Sequence, residues 1–349
     1  MAEPKISQGT LLIQRAKDKI SRQWSPYVKI GISKSIPPRD IIGGSPEYIL
    51  TVYAIKSPMI ENLRKQLIST FSHCQTKGQM FLMDDQTVIS EIIPEAERIA
   101  TNQNESLSAF QSKVLLKSEE SSGLIRKPTH RELELHNQII AAKRDLEIKL
   151  ANQEIIKGVL FNEISNSGAI PGILKLTSRI QKPRLQKARL KEDYRAIYLQ
   201  YETEELSKPS GTVKIKGSPT IRKIDLTLYN ALKDTKKSSQ FNIQQLDNSS
   251  GDRTTSTIIN HSKYLDNLGD IAKAEWLYES LTAKLAACVG VDDGIEGLIS
   301  WKRKCRTRLN FDEARFSSDN PELYSKYLTP EKTVVATNVS PYGIYDPDS

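Results

Sequence analysis

The stretch GLISWKRKCRTRLNFDEARFSSDNPELYSKYL, Gly297–Leu328, decides how the rest of the chain is read. It opens on a glycine turn. An extended run then carries Lys302, Arg303, Lys304, Arg306 and Arg308 with no acid before Asp312, and a helix-prone piece follows with Tyr324 and Tyr327 on one face. Its outline stands once earlier in the chain, as GILKLTSRIQKPRLQKARLKEDYRAIYLQY over Gly172–Tyr201.

The two stretches align at a nearly constant spacing. At 125 residues, His136 falls on His261, Ile170 on Ile295 and Gly172 on Gly297. At 126, Ala188-Arg189 falls on Ala314-Arg315, Asp193 on Asp319, Tyr198 and Tyr201 on Tyr324 and Tyr327, and Glu205 on Glu331. Small indels bring Arg184-Leu185 onto Arg308-Leu309. Self-similarity at a fixed spacing marks a structural unit written more than once. Each unit reads as a long helix, a glycine turn, an extended basic strand and a Tyr-x-x-Tyr helix. A β-prone piece closes it, GTVKI at 211–215 in the first and TVVAT at 333–337 in the second.

Charge concentrates in the extended runs. A strand sends alternate residues to opposite faces, so Lys302, Lys304, Arg306 and Arg308 share one side and Trp301, Arg303, Cys305 and Thr307 the other. The first copy offers Arg179, Lys182, Arg184, Lys187, Arg189 and Lys191. A cationic face suits phosphate, because each neutralised phosphate releases counterion. The same residues also suit an edge strand protected against edge-to-edge aggregation. The tyrosines carry a similar pair of readings, packing against the basic strand or stacking on bases as in single-strand binders.

Working outward, residues 9–93 read as a small α/β unit. Apolar runs at Gly9–Gln14, Tyr27–Ser33 and Tyr48–Ile55 are strand-like, and Ile60, Leu63, Leu67, Ile68 and Phe71 repeat at helical spacing. A short strand at Met80–Met83 precedes a helix with Val88, Ile89 and Ile92 on its apolar face. Residues 94–130 are polar and read as a linker with room for a short helix. Residues 131–215 form the first copy, opening on a helix with Leu133, Ile139, Ile140, Leu146, Leu150, Ile156 and Leu160. A linker over 216–258 carries a short helix near Ile224–Leu232. The second copy, 259–340, opens on a helix over Ser262–Val289 broken near Gly269. The expected class is α+β, a small α/β domain followed by two tandem helix–strand–helix modules.

Composition bounds the function. The 349 residues carry a net charge of +8, and 38% are hydrophobic, enough for modest cores. No run approaches the ~18–20 apolar residues a membrane helix needs, and no signal core opens the chain, so the expected location is cytoplasmic. Cys74, Cys288 and Cys305 are scattered and form no metal-ligand pair. Neither a phosphate-binding G-x-x-x-x-G-K loop nor a G-x-S-x-G elbow is present.

Two resemblances follow from quoted motifs. The run Gly297–Leu328, with its tryptophan, cations and Pro321-Glu322-Leu323-Tyr324, resembles the C-terminal extension of YqaJ-type phage exonucleases over roughly residues 261–337. It implies an accessory module in a phage or mobile-element setting. The first copy departs from it, with Leu176 where Trp301 stands, and the family's catalytic acids and lysine have no counterpart in this sequence.

Over residues 9–93, the V-K-I-G of Val28–Gly31, Arg39, the helix ending at Phe71 and the G-Q-M-F of Gly78–Phe81 are similar to the phage branch of the GIY-YIG nucleases. That family cuts phosphodiesters with an arginine and a metal-binding glutamate. Lys29 and Arg39 stand where its motif wants them. Leu12 replaces the first-strand tyrosine, Arg64 occupies the glutamate position and Ile68 the histidine position. Glu61, one turn earlier, is the remaining candidate for a metal ligand. The resemblance thus implies a non-catalytic DNA-binding remnant needing no cofactor. Its alternative is an endonuclease using Lys29, Arg39 and Glu61 with Mg²⁺ or Mn²⁺.

DNA binding through the phosphate backbone, in phage recombination, defence or counter-defence, is the expectation. The candidate binding residues are Arg179, Lys182, Arg184, Lys187, Lys302, Lys304, Arg306 and Arg308. A scaffold gripping an acidic protein partner is the third reading.

Overall fold

Apolar runs near the N-terminus give β1 (Gly9–Asp18), β2 (Trp24–Ser33) and β3 (Glu47–Ser57). After them come α1 (Ile60–Thr70), β4 (Met80–Leu82) and α2 (Asp85–Thr87), which continues through one π turn into α3 (Ile93–Lys117). Next are β5 (Ile125–Arg126), α4 (His130–Glu163), β6 (Ala169–Ile170) and β7 (Leu174–Gln181). The chain goes on through α5 (Lys187–Asp193), α6 (Arg195–Gln200), β8 (Glu202–Leu206) and β9 (Lys214–Ile215). Two further helices, α7 (Ile221–Ile224) and α8 (Leu226–Ser238), precede the long α9 (Thr255–Val289). The last elements are β10 (Gly294–Ile295), β11 (Ile299–Ser300), β12 (Thr307–Phe311), α10 (Glu313–Asp319), α11 (Pro321–Lys326) and β13 (Lys332–Val339). The computed structural model describes residues 4–18, 20–34, 47–76, 80–164, 168–238 and 251–344. The class is α+β.

The N-terminal sheet has the order β3-β1-β2-β4, with every pair antiparallel. Leu11, Ile13, Val28 and Ile30 point from one face into a core with Leu63 and Leu67 of α1. The polar stretch 94–130, expected to be a linker, is helical as far as Lys117, because Ala96, Ile99, Ala100, Ala109 and Phe110 bury one face of α3. Its helical stripe is built from small and polar residues such as Gln103 and Ser106, so hydrophobicity alone understates it. Ile89, expected on an apolar face, is exposed, while Val88 and Ile92 are buried.

The helix expected to break near Gly269 runs unbroken from Thr255 to Val289. Gly269 serves a close approach instead. A Cβ there would stand 3.0 Å from the Thr70 Cα at the end of α1. Trp276 of α9 stacks on Phe110 of α3 at 5.5 Å between ring centroids, and Lys65 pairs with Glu275 at 2.9 Å. The N-terminal unit therefore docks along α9.

α4 and α9 lie antiparallel. Ile139 meets Leu285 and Val289 in one core cluster, and Leu160 meets Tyr264 and Leu265 in another. The two helices start alike: Thr129 and Thr254, 125 residues apart, are their N-caps, each accepting from the backbone three residues on.

Beyond this helix pair the two stretches that align in sequence do not fold side by side; each closes on the other. β7 of the first copy pairs antiparallel with β13 of the second, and β12 of the second pairs with β8 of the first. The registers correspond. Gln181 faces Lys332 and Leu206 faces Thr307, which are the same positions moved on by 126 residues. Smaller details follow suit. Gly172 and Gly297 both turn at a φ of 72°, a left-handed conformation that favours glycine. His136 Nε2 contacts the Lys216 carbonyl at 2.9 Å, and His261 Nε2 contacts the Ser340 carbonyl at 2.8 Å. Such reciprocal pairing is what a local two-fold axis generates. One irregularity interrupts it: Ser210 bridges Lys304, and Ile215 then faces Ile299 one residue out of register with the β12–β8 ladder.

The four short helices α5, α6, α10 and α11 interlock into a hub. Its core is Leu185, Leu190, Tyr198, Tyr201, Phe316 and Tyr327, drawn from both copies. The helix pair, the two ribbons and the hub thus close a frame. Between its ends each ribbon stands free. Arg179, Ile180, Gln181 and Lys182 are all exposed on one, and Arg306 through Asn310 on the other, so neither ribbon has a buried face along these residues.

Candidate nucleic-acid interface

The basic run of the second copy begins with strict alternation. Trp301 and Arg303 are fully buried, while Lys302 and Lys304 are exposed. The Trp301 indole donates to the Gly211 carbonyl at 3.3 Å, and the Arg303 guanidinium lies 4.4 Å from the Trp301 ring while donating to the Gly290 carbonyl at 2.7 Å. Two neighbouring residues are thereby fixed inward, which commits Lys302 and Lys304 to solvent. From Arg306 onward both sides of the strand are exposed and alternation no longer sorts the charges.

Most of the candidate cations are open. Arg179, Lys182, Arg184, Lys302, Lys304, Arg306 and Arg308 are exposed, and among the described residues none has a carboxylate within ion-pair distance. Lys187 is different. It sits half-buried on α5, pairs with Glu313 at 3.0 Å and lies over the Phe311 ring, so it serves the hub. Arg189 and Lys191, read as part of an extended basic strand, are also on α5; they pair with Asp193 at 3.9 Å and Glu202 at 2.8 Å. Helix formation from Lys187 is what divides this run into an open half and a paired half.

The second ribbon is less purely basic. Arg308 faces Glu205 across the ladder, and Glu205 accepts from the Asn310 amide at 2.6 Å. At its root, the Cys305 backbone N–H donates to Glu120 at 2.8 Å and holds that carboxyl below its ordinary range, with a smaller contribution from Lys304. The pairing also revises one alignment: hub-end register sets Arg308 opposite the role of Lys182, 126 residues earlier, in place of Arg184. Nearer the root, at a spacing of 125, Lys304 corresponds to Arg179.

The tyrosines serve packing. Tyr198, Tyr201 and Tyr327 are buried in the hub. The Tyr201 hydroxyl donates to Asp319 at 3.0 Å, and the Tyr327 hydroxyl donates to Asp193 in the reciprocal bond. Their alignment was visible in the sequence; the cross-copy bonds were not, since spacing cannot say which copy a side chain meets.

The nuclease-like candidates do not converge. Val28 and Ile30 point toward α1, so Lys29 between them points to the opposite face of the sheet, away from the helix that carries Glu61. Glu61 is exposed and pairs with Lys34 at 3.4 Å. Arg64 donates to the Ile30 carbonyl at 3.4 Å. Arg39 and Gly78 lie outside the described residues. Among the described residues no three His, Cys, Asp or Glu side chains gather as a metal site requires. Two further cations of this unit are also engaged locally: Arg15 is buried against Asp85 and the Met83 carbonyl, and Lys17 covers Trp24.

Protein-family models, curated proteins and solved structures give no match to this chain. The geometry therefore carries the functional argument. Among the described residues no helix is long and apolar enough to cross a membrane.

Proposed function

We propose that this chain is a non-catalytic DNA-binding protein that grips the phosphate backbone with its two free-standing ribbons. One observation carries the reading: among the described residues, seven cations along the two basic runs face solvent without ion-pair partners, while Lys187, Arg189, Lys191 and Arg315 of the hub are paired. Unpaired, exposed lysines and arginines keep their charge available to a polyanion. The reciprocal pairing supports an internal duplication of one helix–strand–helix unit, and the resemblances described above suggest phage or mobile-element recombination, defence or counter-defence in the cytoplasm. The N-terminal unit, GIY-YIG-like in its motif order, acts in this reading as a binding or docking element.

Fluorescence anisotropy with labelled DNA across a salt series tests the reading. Each phosphate contact contributes about −0.9 to the slope of log affinity against log salt for duplex DNA. A steep slope is expected, and flattening is expected when Arg179, Lys182, Lys304 and Arg308 are changed to Gln together. Affinity that ignores both salt and these substitutions would overturn it.

A further inference from the structure

The two ribbons are related by the same reciprocal pairing that builds the hub, and this has a consequence for the shape of their ligand. Arg179 and Lys304 occupy corresponding places near the ribbon roots, and Lys182 and Arg308 correspond at the hub ends. Two equivalent cation sets disposed about a two-fold axis match a ligand with the same symmetry. Duplex nucleic acid has such an axis perpendicular to its length, because its strands run antiparallel. A single strand has a direction, so it would meet the two ribbons in opposite senses.

Two further observations agree. Single-strand binders hold bases on exposed aromatic rings. Here Trp301, Tyr198, Tyr201 and Tyr327 are all buried, and the exposed apolar residues of the ribbons, Ile180, Leu206 and Leu309, are aliphatic. The ribbon roots also stand apart by a suitable length. They join the helix pair at the clusters around Ile139 and Leu160, which at 1.5 Å per residue are roughly 30 Å apart along α4. One turn of B-form duplex spans about 34 Å.

We infer that the ligand is duplex nucleic acid, bound with its dyad on the two-fold axis of the frame so that each ribbon contacts one of the two backbones. This rests on the nucleic-acid reading above and sharpens it. The ribbons supply backbone contacts, so recognition is of duplex form with little dependence on sequence.

The test measures anisotropy of the full chain with a duplex of about two turns, roughly 20 base pairs. Each separate strand, and an RNA duplex of the same sequence, are measured beside it. Arg179→Gln and Lys304→Gln are made singly and together, with Arg179→Lys as a charge-preserving control and thermal melting to confirm folding. The expected result is tighter binding to a duplex than to either strand. Each single substitution should lower the salt slope by about one, and the double by the sum. The RNA duplex reports whether A-form geometry is accepted; tighter binding to either duplex supports the inference. Equal or tighter binding to single strands overturns the duplex inference and leaves nucleic-acid binding standing. Loss on Arg179→Gln with none on Lys304→Gln overturns the two-fold arrangement. Binding to no nucleic acid overturns both readings and returns the ribbons to the acidic protein partner.

Discussion

Tyr201 and Asp319 are joined by a hydrogen bond of 3.0 Å across 118 residues of chain, and the corresponding pair, Tyr327 and Asp193, is joined in the opposite direction. Each copy thus contributes the donor of one bond and the acceptor of the other. Arg315 extends the first pair and Arg189 the second, each bridging its aspartate and lying over the opposing tyrosine ring. The hub is held by exchange between copies.

Tyr201→Phe should therefore lower stability by about 1.5–3 kcal/mol, the usual range for a hydrogen bond to a charged group. Asp319→Asn should cost a similar amount, and the double variant less than the sum of the two, because one bond is lost once. Urea unfolding followed by far-ultraviolet circular dichroism measures all three. Full additivity would show that the bond contributes nothing to the fold.

The reciprocal tyrosine gives a pH signature. The hydrogen bond to Asp193 is the main cause that pushes Tyr327 up to about 12 from an ordinary value of 10. A group raised in the folded state contributes stability that is fully present below its unfolded value and is lost as pH climbs through the folded one. The relevant window is pH 10 to 12. An alkaline titration read by tyrosinate absorbance should show several late phenols, since Tyr53, Tyr264, Tyr278 and Tyr324 are raised as well, and one of the late phenols should move earlier in Asp193→Asn.

Acid acts on the other end of the molecule. Glu132 closes a capping box with Thr129 at the start of α4, and Arg126, the principal cause, holds its carboxyl down to about 2 from 4.5. A depressed carboxyl contributes stability above its unfolded value and loses it as pH falls toward the folded one. Melting temperature measured from pH 5 down to 2 should fall less steeply in Glu132→Gln than in the parent chain. Parallel curves would exclude the Arg126–Glu132 pair as a source of acid sensitivity.

Gly269 offers a packing test. Its hydrogen faces the backbone of Thr70, and Gly269→Val must push α1 away from α9. Overpacking of this kind costs typically about 1–3 kcal/mol. Limited proteolysis should then release the N-terminal unit faster than it does from the parent. Unchanged melting and proteolysis would mean that α1 and α9 part without cost.

Periodicity revealed most of the individual elements, because strands and helices sort their apolar residues over a few positions. The N-terminal strands, α1 and the helix opening the first copy were legible that way. α3 was not, since it buries Gln103, Ser106 and several alanines, and polar or small residues give a weak stripe. The ribbons were half legible: Trp301 to Lys304 follow alternation because one side is anchored, and Arg306 to Asn310 do not because neither side is. Lys187 was read as an open cation because nothing local shows that Glu313 comes to meet it.

The amino-acid sequence alone determined the spacing of the two copies, the clustering of cations in their extended runs and the tyrosines and aspartates at matching places. Only the tertiary structure decided which copy each strand and each tyrosine would join. The reason is physical. Antiparallel backbone ladders form between any two strands of compatible register, and both copies carry the same register, so closing on oneself and closing on the other satisfy the same local hydrogen bonds. Long-range packing, here the antiparallel helix pair that sets the two strand roots at opposite ends, breaks that degeneracy and opens the ribbons to solvent.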